Sequence, residues 1–429
     1  MTEVRRGLAL FATLFVAYLA ALGLPTGGGP DASRYTQAEA HRLLTAESIV
    51  SDGDLDLRDE YALRRWSDWY PGTLRPTARL TNGRLHEPQG IGLPLLIAPA
   101  YALAGPTGVE IFLAAMFAAA FAVAAALGRR LVPDPWPTLA ALTVGLSPPA
   151  LAAATTIAPS TAGALLLAGA VVFALRVRDE PRMSSVLACA ALAALAPWLA
   201  IGLAVPALIV VIALARWLYR RNRGLASFTA LEILVTSGVF YVALNDRIFG
   251  GPVPDTARLG GLSKATGISS VGDVLSRVDR LAAVLIDRDV GALRWAPVLV
   301  LALWALWLLA RSRRTRIAIA VTDRVDAEVA AALLGLVVGG GLLVAALGPV
   351  ALHGSWMVPG ALPVILPPAA ALAAWGWRHA GRAAPVLAVL TLAGSTWFLA
   401  GVRLDEGTGA APPQGAVPWG GAERVLPRF

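Results

Sequence analysis

Apolar and polar stretches alternate along this chain with a spacing of about 20 residues, the length an α-helix needs to cross a hydrocarbon core. The first apolar run covers residues 8–24 and predicts a helix near 7–25. Later runs predict helices near 108–128, 136–155, 159–177, 184–197, 199–217, 226–245, 294–311, 328–349, 358–377 and 384–401. The expected fold is therefore all-α and polytopic, with about eleven transmembrane helices. Polar sequence divides the chain further. A first loop spans 26–107, a second spans 246–293, and a Pro/Gly-rich tail runs over 404–429. The expected divisions are a first helix in 1–25, helices 2–7 in 108–245 and helices 8–11 in 294–403. Residues 90–103 are apolar but too short to span, and Pro94 and Pro99 split them. They predict an interfacial or re-entrant helix that closes the first loop.

Charge orients these helices. Arg129 with Arg130, Arg176 with Arg178 and Arg182, Arg216 through Arg223, Arg311 through Arg316, and Arg378 with Arg382 all border apolar runs. The positive-inside tendency places each cluster in the cytoplasm. Two cytoplasmic clusters need an even number of crossings between them. The stretch between Arg182 and Arg216 must then be a hairpin, because a single helix there would be roughly 50 Å long against a core of about 30 Å. Pro197 is the expected turn. Parity puts the amino terminus inside, and both long loops and the tail outside. Arg5 and Arg6 ahead of the first run also fit a signal peptide. The sequence Leu24-Pro-Thr-Gly-Gly is a poor cleavage site, so an uncleaved helix is expected.

Composition agrees. The 429 residues are 57% hydrophobic and 15% charged, where a soluble domain carries roughly a quarter charged residues. The net charge of +8 does not indicate nucleic acid, because the arginines lie in short clusters between apolar runs. Cys189 is the sole cysteine, which excludes an intramolecular disulfide and suits a small core residue.

Candidate chemistry therefore faces outward. The first loop holds Asp31, Glu39, His41, Glu47, Asp52, Asp54, Asp56, Asp59 and Glu60. Glu39 reads locally either as a solvated carboxylate or as a base. Asp54 and Asp56 suit a turn shaped by side-chain to backbone hydrogen bonds. With Asp31 they are alternatively ligands for a divalent cation, since hard cations take oxygen donors, but no ligand spacing is diagnostic and no metal site is assigned. Trp69, in Trp66-Ser-Asp-Trp69-Tyr70, offers a stacking face to a sugar or rests on lipid. Glu232 lies inside an apparent span, where a hydrogen bond within the bundle is expected.

A resemblance sharpens this reading. Gln37-Ala-Glu-Ala-His-Arg-Leu-Leu-Thr-Ala-Glu-Ser, followed by Asp52-Gly-Asp-Leu-Asp-Leu and Tyr61, resembles the first external loop of GT-C glycosyltransferases. These polytopic enzymes, such as protein mannosyltransferases and lipid A aminoarabinose transferases, use polyprenyl-phosphate sugars. Residues 90–103 are similar to the family's Pro-Gly-Leu-Pro-Leu-Leu-Leu-Ala-Pro-Ala-Tyr-Ala-Leu. Phe249-Gly-Gly-Pro-Val-Pro and Asp287-Arg-Asp-Val-Gly-Ala-Leu-Arg-Trp-Ala-Pro resemble two later motifs. The matches run in family order from residue 7 to about residue 377.

The resemblance implies an inverting transfer of a sugar from a polyprenyl-phosphate donor to an envelope glycan, lipid or protein on the outer face of the plasma membrane. It implies Glu39 as the general base, with His41, Arg42, Gln89, Arg288 and Trp69 toward substrate. Arg34, Arg42, Arg247, Arg288 and Arg294 are the cations available for a departing phosphate. No cofactor is assigned beyond a possible divalent cation. The chain departs from the family at Ala38, where aspartate is common. It also departs at Pro159-Ser160 for Pro-Glu, at Pro197-Trp-Leu-Ala-Ile-Gly202 for Pro-Trp-Leu-His-x-Arg, and at Trp356-Met-Val-Pro-Gly-Ala361 for Trp-x-Pro-Pro-Gly-Arg. Those losses leave open a non-catalytic relative that binds or scaffolds envelope lipids. A lipid transporter is a further alternative, disfavoured by the missing internal repeat.

Overall fold

The computed structural model describes residues 2–22, 34–77, 80–255, 270–287, 291–314, 322–348 and 362–406. Among them there are helices and no strands, apart from an isolated bridge between Thr81 and Arg84. In chain order the helices are α1 Thr2–Ala21, α2 Gln37–Ser51, α3 Arg58–Leu63, α4 Gly92–Arg129, α5 Trp136–Gly145, α6 Pro148–Ala154, α7 Pro159–Asp179 and α8 Met183–Leu199. They continue with α9 Ala204–Arg220, α10 Gly224–Phe249, α11 Val271–Leu275, α12 Asp279–Ile286, α13 Val300–Arg314, α14 Thr322–Leu347, α15 Leu362–His379 and α16 Ala383–Glu406. The chain is a multi-pass membrane protein. Among the described residues, seven helices are long and apolar enough to cross a bilayer, or eight if the bent α5–α6 pair counts as one span. Each span predicted from sequence overlaps a helix there. The larger sequence count of about eleven also takes in α8 and α13, which are short, and α15, which is not among those seven.

Two local expectations need correction, and a third is met in part. Within α4 the backbone leaves helical geometry at Ala104 and Gly105, so residues 92–103 form a short helical segment set off by a kink from the second predicted span. Gly105 has φ 59° and ψ −149°, a conformation open to glycine, and Pro106 then starts the next helical stretch. The third predicted span is bent by 64° between α5 and α6. Pro148 and Pro149 lack the N–H groups that would continue α5 and open α6 instead. Pro197 is not the turn between α8 and α9. It sits inside the last turn of α8, and the chain breaks at Ala200 (φ −157°, ψ 134°).

The bundle is organised around α15. From Leu362 to Trp377 nearly every residue is buried. This helix packs against α4, α5, α7, α13 and α14. Its run of alanines and Gly376 permits that crowding, since small residues let helix backbones approach closely. A Cβ on Gly376 would lie 2.0 Å from the Leu301 carbonyl oxygen of α13. Pro367 and Pro368 are tolerated because α15 is enclosed by protein. On the periphery, α10 exposes Leu225, Phe228, Val235, Val239 and Phe240, a surface that lipid solvates. Glu232 is also exposed there, so the bundle-internal hydrogen bond expected for it is not formed.

Ion pairs gather Arg6 and two of the basic clusters at one end of the bundle. Arg6 of α1 and Arg129 of α4 both reach Asp134, at 3.1 and 2.9 Å. Arg130 pairs with Asp179 at the end of α7 (2.7 Å), and Arg178 with Asp326 at the start of α14. The first loop packs at the opposite end. There, Arg277 and Arg280 of the second loop donate to the carbonyls of Leu347 and Gly348 at the end of α14, at 2.7 and 3.2 Å. Those guanidiniums cap the negative end of the helix.

Candidate functional site

The site begins with the way α2 starts. Thr36 is its N-cap, and Glu39 completes a capping box. Thr36 donates to Glu39 Oε2 through its backbone N–H (2.9 Å) and its hydroxyl (2.8 Å). Gln37 and Ala38 face outward, while Glu39 is buried. The other carboxylate oxygen, Oε1, accepts the backbone N–H of Ile157 at 2.7 Å. One turn along the same face, Arg42 Nη1 donates to the carbonyl of Ile157 at 2.7 Å. Glu39 and Arg42 thus grip both sides of one residue in the turn before α7. Burial pulls the Arg42 pKa down, and the Glu39 charge opposes that. Pro159 and Ser160, which stand where the GT-C pattern has Pro-Glu, open α7 immediately after this grip.

A second ion pair lies beside it. Arg34 Nη2 is 2.6 Å from Glu110 Oε2, and Glu110 is 4% exposed on α4 just beyond the kink. The Tyr35 hydroxyl also bonds Glu110. Burial first, and then the Glu110 charge, raise the Tyr35 phenol above its ordinary range. Tyr35 meets Trp69 edge-on at 6.1 Å, and Trp69 meets Tyr70 at 6.4 Å. On the other side Trp69 lies beside Glu47, which accepts the Tyr101 hydroxyl at 2.9 Å. Burial raises the Glu47 pKa, while Tyr101 and Arg65 act against it. A strip of acids and aromatic rings therefore runs between α2 and α4.

His41 belongs to a different face. Its Nε2 approaches the Arg75 carbonyl at 3.2 Å and its Nδ1 approaches Glu87 at 3.5 Å. Glu87 also accepts the Tyr61 hydroxyl at 2.6 Å, the Thr77 N–H at 3.1 Å and the Thr77 hydroxyl. Burial lowers the His41 pKa, with Glu87 opposing. This cluster holds the loop together and does not share the Glu39 face. Gln89 follows it, with Oε1 buried and without a hydrogen-bond partner. His86 ties the loop to α10. Its Nδ1 is 2.7 Å from the Leu55 carbonyl oxygen, and its ring meets Phe249 edge-on at 6.3 Å.

Asp54 and Asp56 shape the turn after α2. Asp54 Oδ1 accepts the Asp56 N–H (3.0 Å) and the Ser48 hydroxyl (3.2 Å). Asp56 accepts the Leu85 N–H at 2.9 Å and pairs with Arg58 at 2.7 Å. Their oxygens serve the protein itself, whereas a neighbouring trio, Asp52, Asp59 and Glu60, has the spacing to share a cation. Asp31, Arg288 and Ala361 lie outside the described residues. Of the other arginines, Arg247 is exposed. Arg294, half-buried in the helical turn Ala292–Trp295, has Nη1 buried with no hydrogen-bond partner. Sequence reasoning missed Glu110. Its signal was present, since it is an acid two residues inside the second predicted span.

With this geometry in place, the comparisons can be read. No family profile and no curated protein matches the chain. Solved structures do. ArnT from Cupriavidus metallidurans in the apo state superposes with a TM-score of 0.54 at 15% identity, over 89% of this chain and 62% of that one. ArnT from the same organism bound to undecaprenyl phosphate gives 0.55 at 15% identity, over 93% of this chain and 71% of that one. The chain has the ArnT fold. The likeness is one of fold, and it agrees with the all-α polytopic architecture expected from the sequence. In its apo form ArnT is the longer protein, and this chain spans 62% of it.

Proposed function

We propose that the chain is an inverting GT-C-type glycosyltransferase. It moves a sugar from a polyprenyl-phosphate donor to an envelope acceptor on the outer face of the plasma membrane. The reading is carried by the bonding of Glu39. A carboxylate offers about four acceptor positions. Thr36 takes two on Oε2 and Ile157 takes one on Oε1. One position on Oε1 is left for the hydroxyl of an acceptor, on a side chain already held rigid.

In the proposed reaction Glu39 removes the proton of the acceptor hydroxyl. The freed oxygen attacks the anomeric carbon opposite the phosphate. The bond from that carbon to the phosphate oxygen breaks, and the polyprenyl phosphate leaves with the electron pair. Arg294 is the preferred phosphate contact, because its buried Nη1 is unpartnered while Arg34 is engaged by Glu110. ArnT crystallised with undecaprenyl phosphate supplies the donor class. The test uses purified protein in nanodiscs, with undecaprenyl phosphate binding read by native mass spectrometry and envelope glycan transfer read in cells. Arg294→Gln weakens binding at least tenfold, and Glu39→Gln keeps binding and loses transfer. Undiminished transfer in Glu39→Gln overturns the proposed role of Glu39.

Ala38 and Ser160 favour a second reading, a lipid-binding relative without catalysis. Its signature is bound lipid in the wild type and an envelope phenotype that Glu39→Gln leaves unchanged.

A further inference from the structure

We infer that the corner between α2 and α3 is a binding site for a single divalent cation of calcium's size, held by Asp52, Asp59 and Glu60. One ligand oxygen from each residue lies within 4.8 Å of the others. Calcium takes oxygen ligands at about 2.3–2.6 Å, so an ion among these three atoms reaches all of them with little rearrangement. Acids often cluster on surfaces without an ion, and Glu60 is what distinguishes this cluster. It is fully buried, and neither of its carboxylate oxygens has a hydrogen-bond donor. Buried carboxylates in folded proteins are paired, hydrogen-bonded or bound to metal. The carboxyl of Glu60 instead points at two further acids, both exposed to incoming solvent.

The charges are consistent with this assignment. Asp52 has one cationic neighbour, Arg65 Nη2 at 3.3 Å. Arg58 is committed to Asp56. Three carboxylates against one guanidinium leave about two negative charges, which a divalent ion neutralises. The ion would pin the end of α2 (Asp52) to the first turn of α3 (Asp59 and Glu60). This corner is distinct from the Asp54–Asp56 turn and from the Glu39 grip.

The full-length protein in detergent, titrated with terbium chloride and excited at tryptophan, provides the test. Trp66 lies in the turn that directly follows α3 and serves as the sensitiser. We expect one saturable terbium site per chain, displaced by calcium chloride. Calorimetry with calcium should give a stoichiometry of about one ion per chain. Glu60→Gln should weaken binding at least tenfold. Asp59→Asn, at an exposed position, should weaken it without disturbing the interior, which guards against a folding defect in the first variant. Glu180→Gln, at the opposite end of the bundle, should bind as the wild type does. Absence of saturable binding at millimolar calcium overturns the inference, as does unchanged affinity in both Glu60→Gln and Asp59→Asn.

Discussion

Replacing Glu39 separates its structural duty from its chemical one, and the bonds it makes set the size of each effect. Glu39→Ala removes the acceptor for the Thr36 N–H and hydroxyl, a loss worth about 1 kcal/mol by analogy with helix caps. It also strips the Ile157 N–H of its 2.7 Å partner, and an unpaired buried donor costs about 1–3 kcal/mol. The expected destabilisation is about 2–4 kcal/mol. Glu39→Gln keeps a carbonyl oxygen for Ile157 but turns an amide N–H toward the Thr36 donors, so only the cap is lost, at about 1 kcal/mol. The chain supplies its own reporter. Cys189 is the sole cysteine, fully buried with Sγ 3.3 Å from the Ala170 carbonyl oxygen. A thiol-reactive fluorophore therefore reports unfolding in a thermal ramp. The midpoints should fall in the order wild type, Glu39→Gln, Glu39→Ala. Identical midpoints, or Glu39→Gln below Glu39→Ala, would refute the grip on residue 157 as a structural element.

The remaining predictions rest on other contacts. Gly376→Ala should lower the yield of folded protein and cost about 1–3 kcal/mol, since its Cβ would sit 2.0 Å from the Leu301 carbonyl oxygen; size-exclusion profiles and the Cys189 ramp check it. Arg34→Ala should destabilise by about 1–3 kcal/mol, the cost of leaving the buried Glu110 carboxylate without its cation and with only the Tyr35 hydroxyl as donor, and adding Glu110→Gln should recover part of that loss; a double-mutant cycle in the same ramp measures the coupling. His41 has a pKa lowered in the folded protein by burial. As pH falls below the ordinary histidine value of about 6.5, the unfolded chain therefore takes up the proton first. Stability should be complete above that pH and decline below it by up to about 1.4 kcal/mol per unit, and His41→Gln should flatten the decline between pH 7 and 5.5.

Much of this architecture is legible in the sequence because lipid enforces it. Apolar runs of spanning length became helices, and two of the arginine clusters used to orient them, Arg129 with Arg130 and Arg176 with Arg178, meet at one end through Asp134, Asp179 and Asp326. What escaped prediction depended on contacts between distant residues. Pro106 signalled the break between residues 90–103 and the span that follows, but not where the short segment sits: a Cβ on Gly92 would lie 2.4 Å from the Trp198 carbonyl oxygen, so its start packs against the end of α8. The candidate site divided in a similar way. Glu39 and Arg42 are three residues apart and share a face, as helical spacing requires, whereas His41 is displaced to the Glu87 cluster. Glu110 was hidden inside an apolar run, and its partner Arg34 lies 76 positions away.

The pairing of acids and arginines also bears on the lost family charges. If Ser160 were acidic, it would place a second carboxylate at the start of α7, beside the turn that Glu39 and Arg42 hold. Here Glu39 faces Arg42 across Ile157, and Arg34 is held by Glu110, so each acid near the start of α2 has one cation. In the proposed reaction a phosphate that recruited either arginine would strand a buried carboxylate. Arg294, whose buried Nη1 has no hydrogen-bond partner, carries no such cost, which is why it is the proposed phosphate contact. Under that proposal the departures at Ala38 and Ser160 leave Glu39 as the single acid proposed to activate the acceptor hydroxyl.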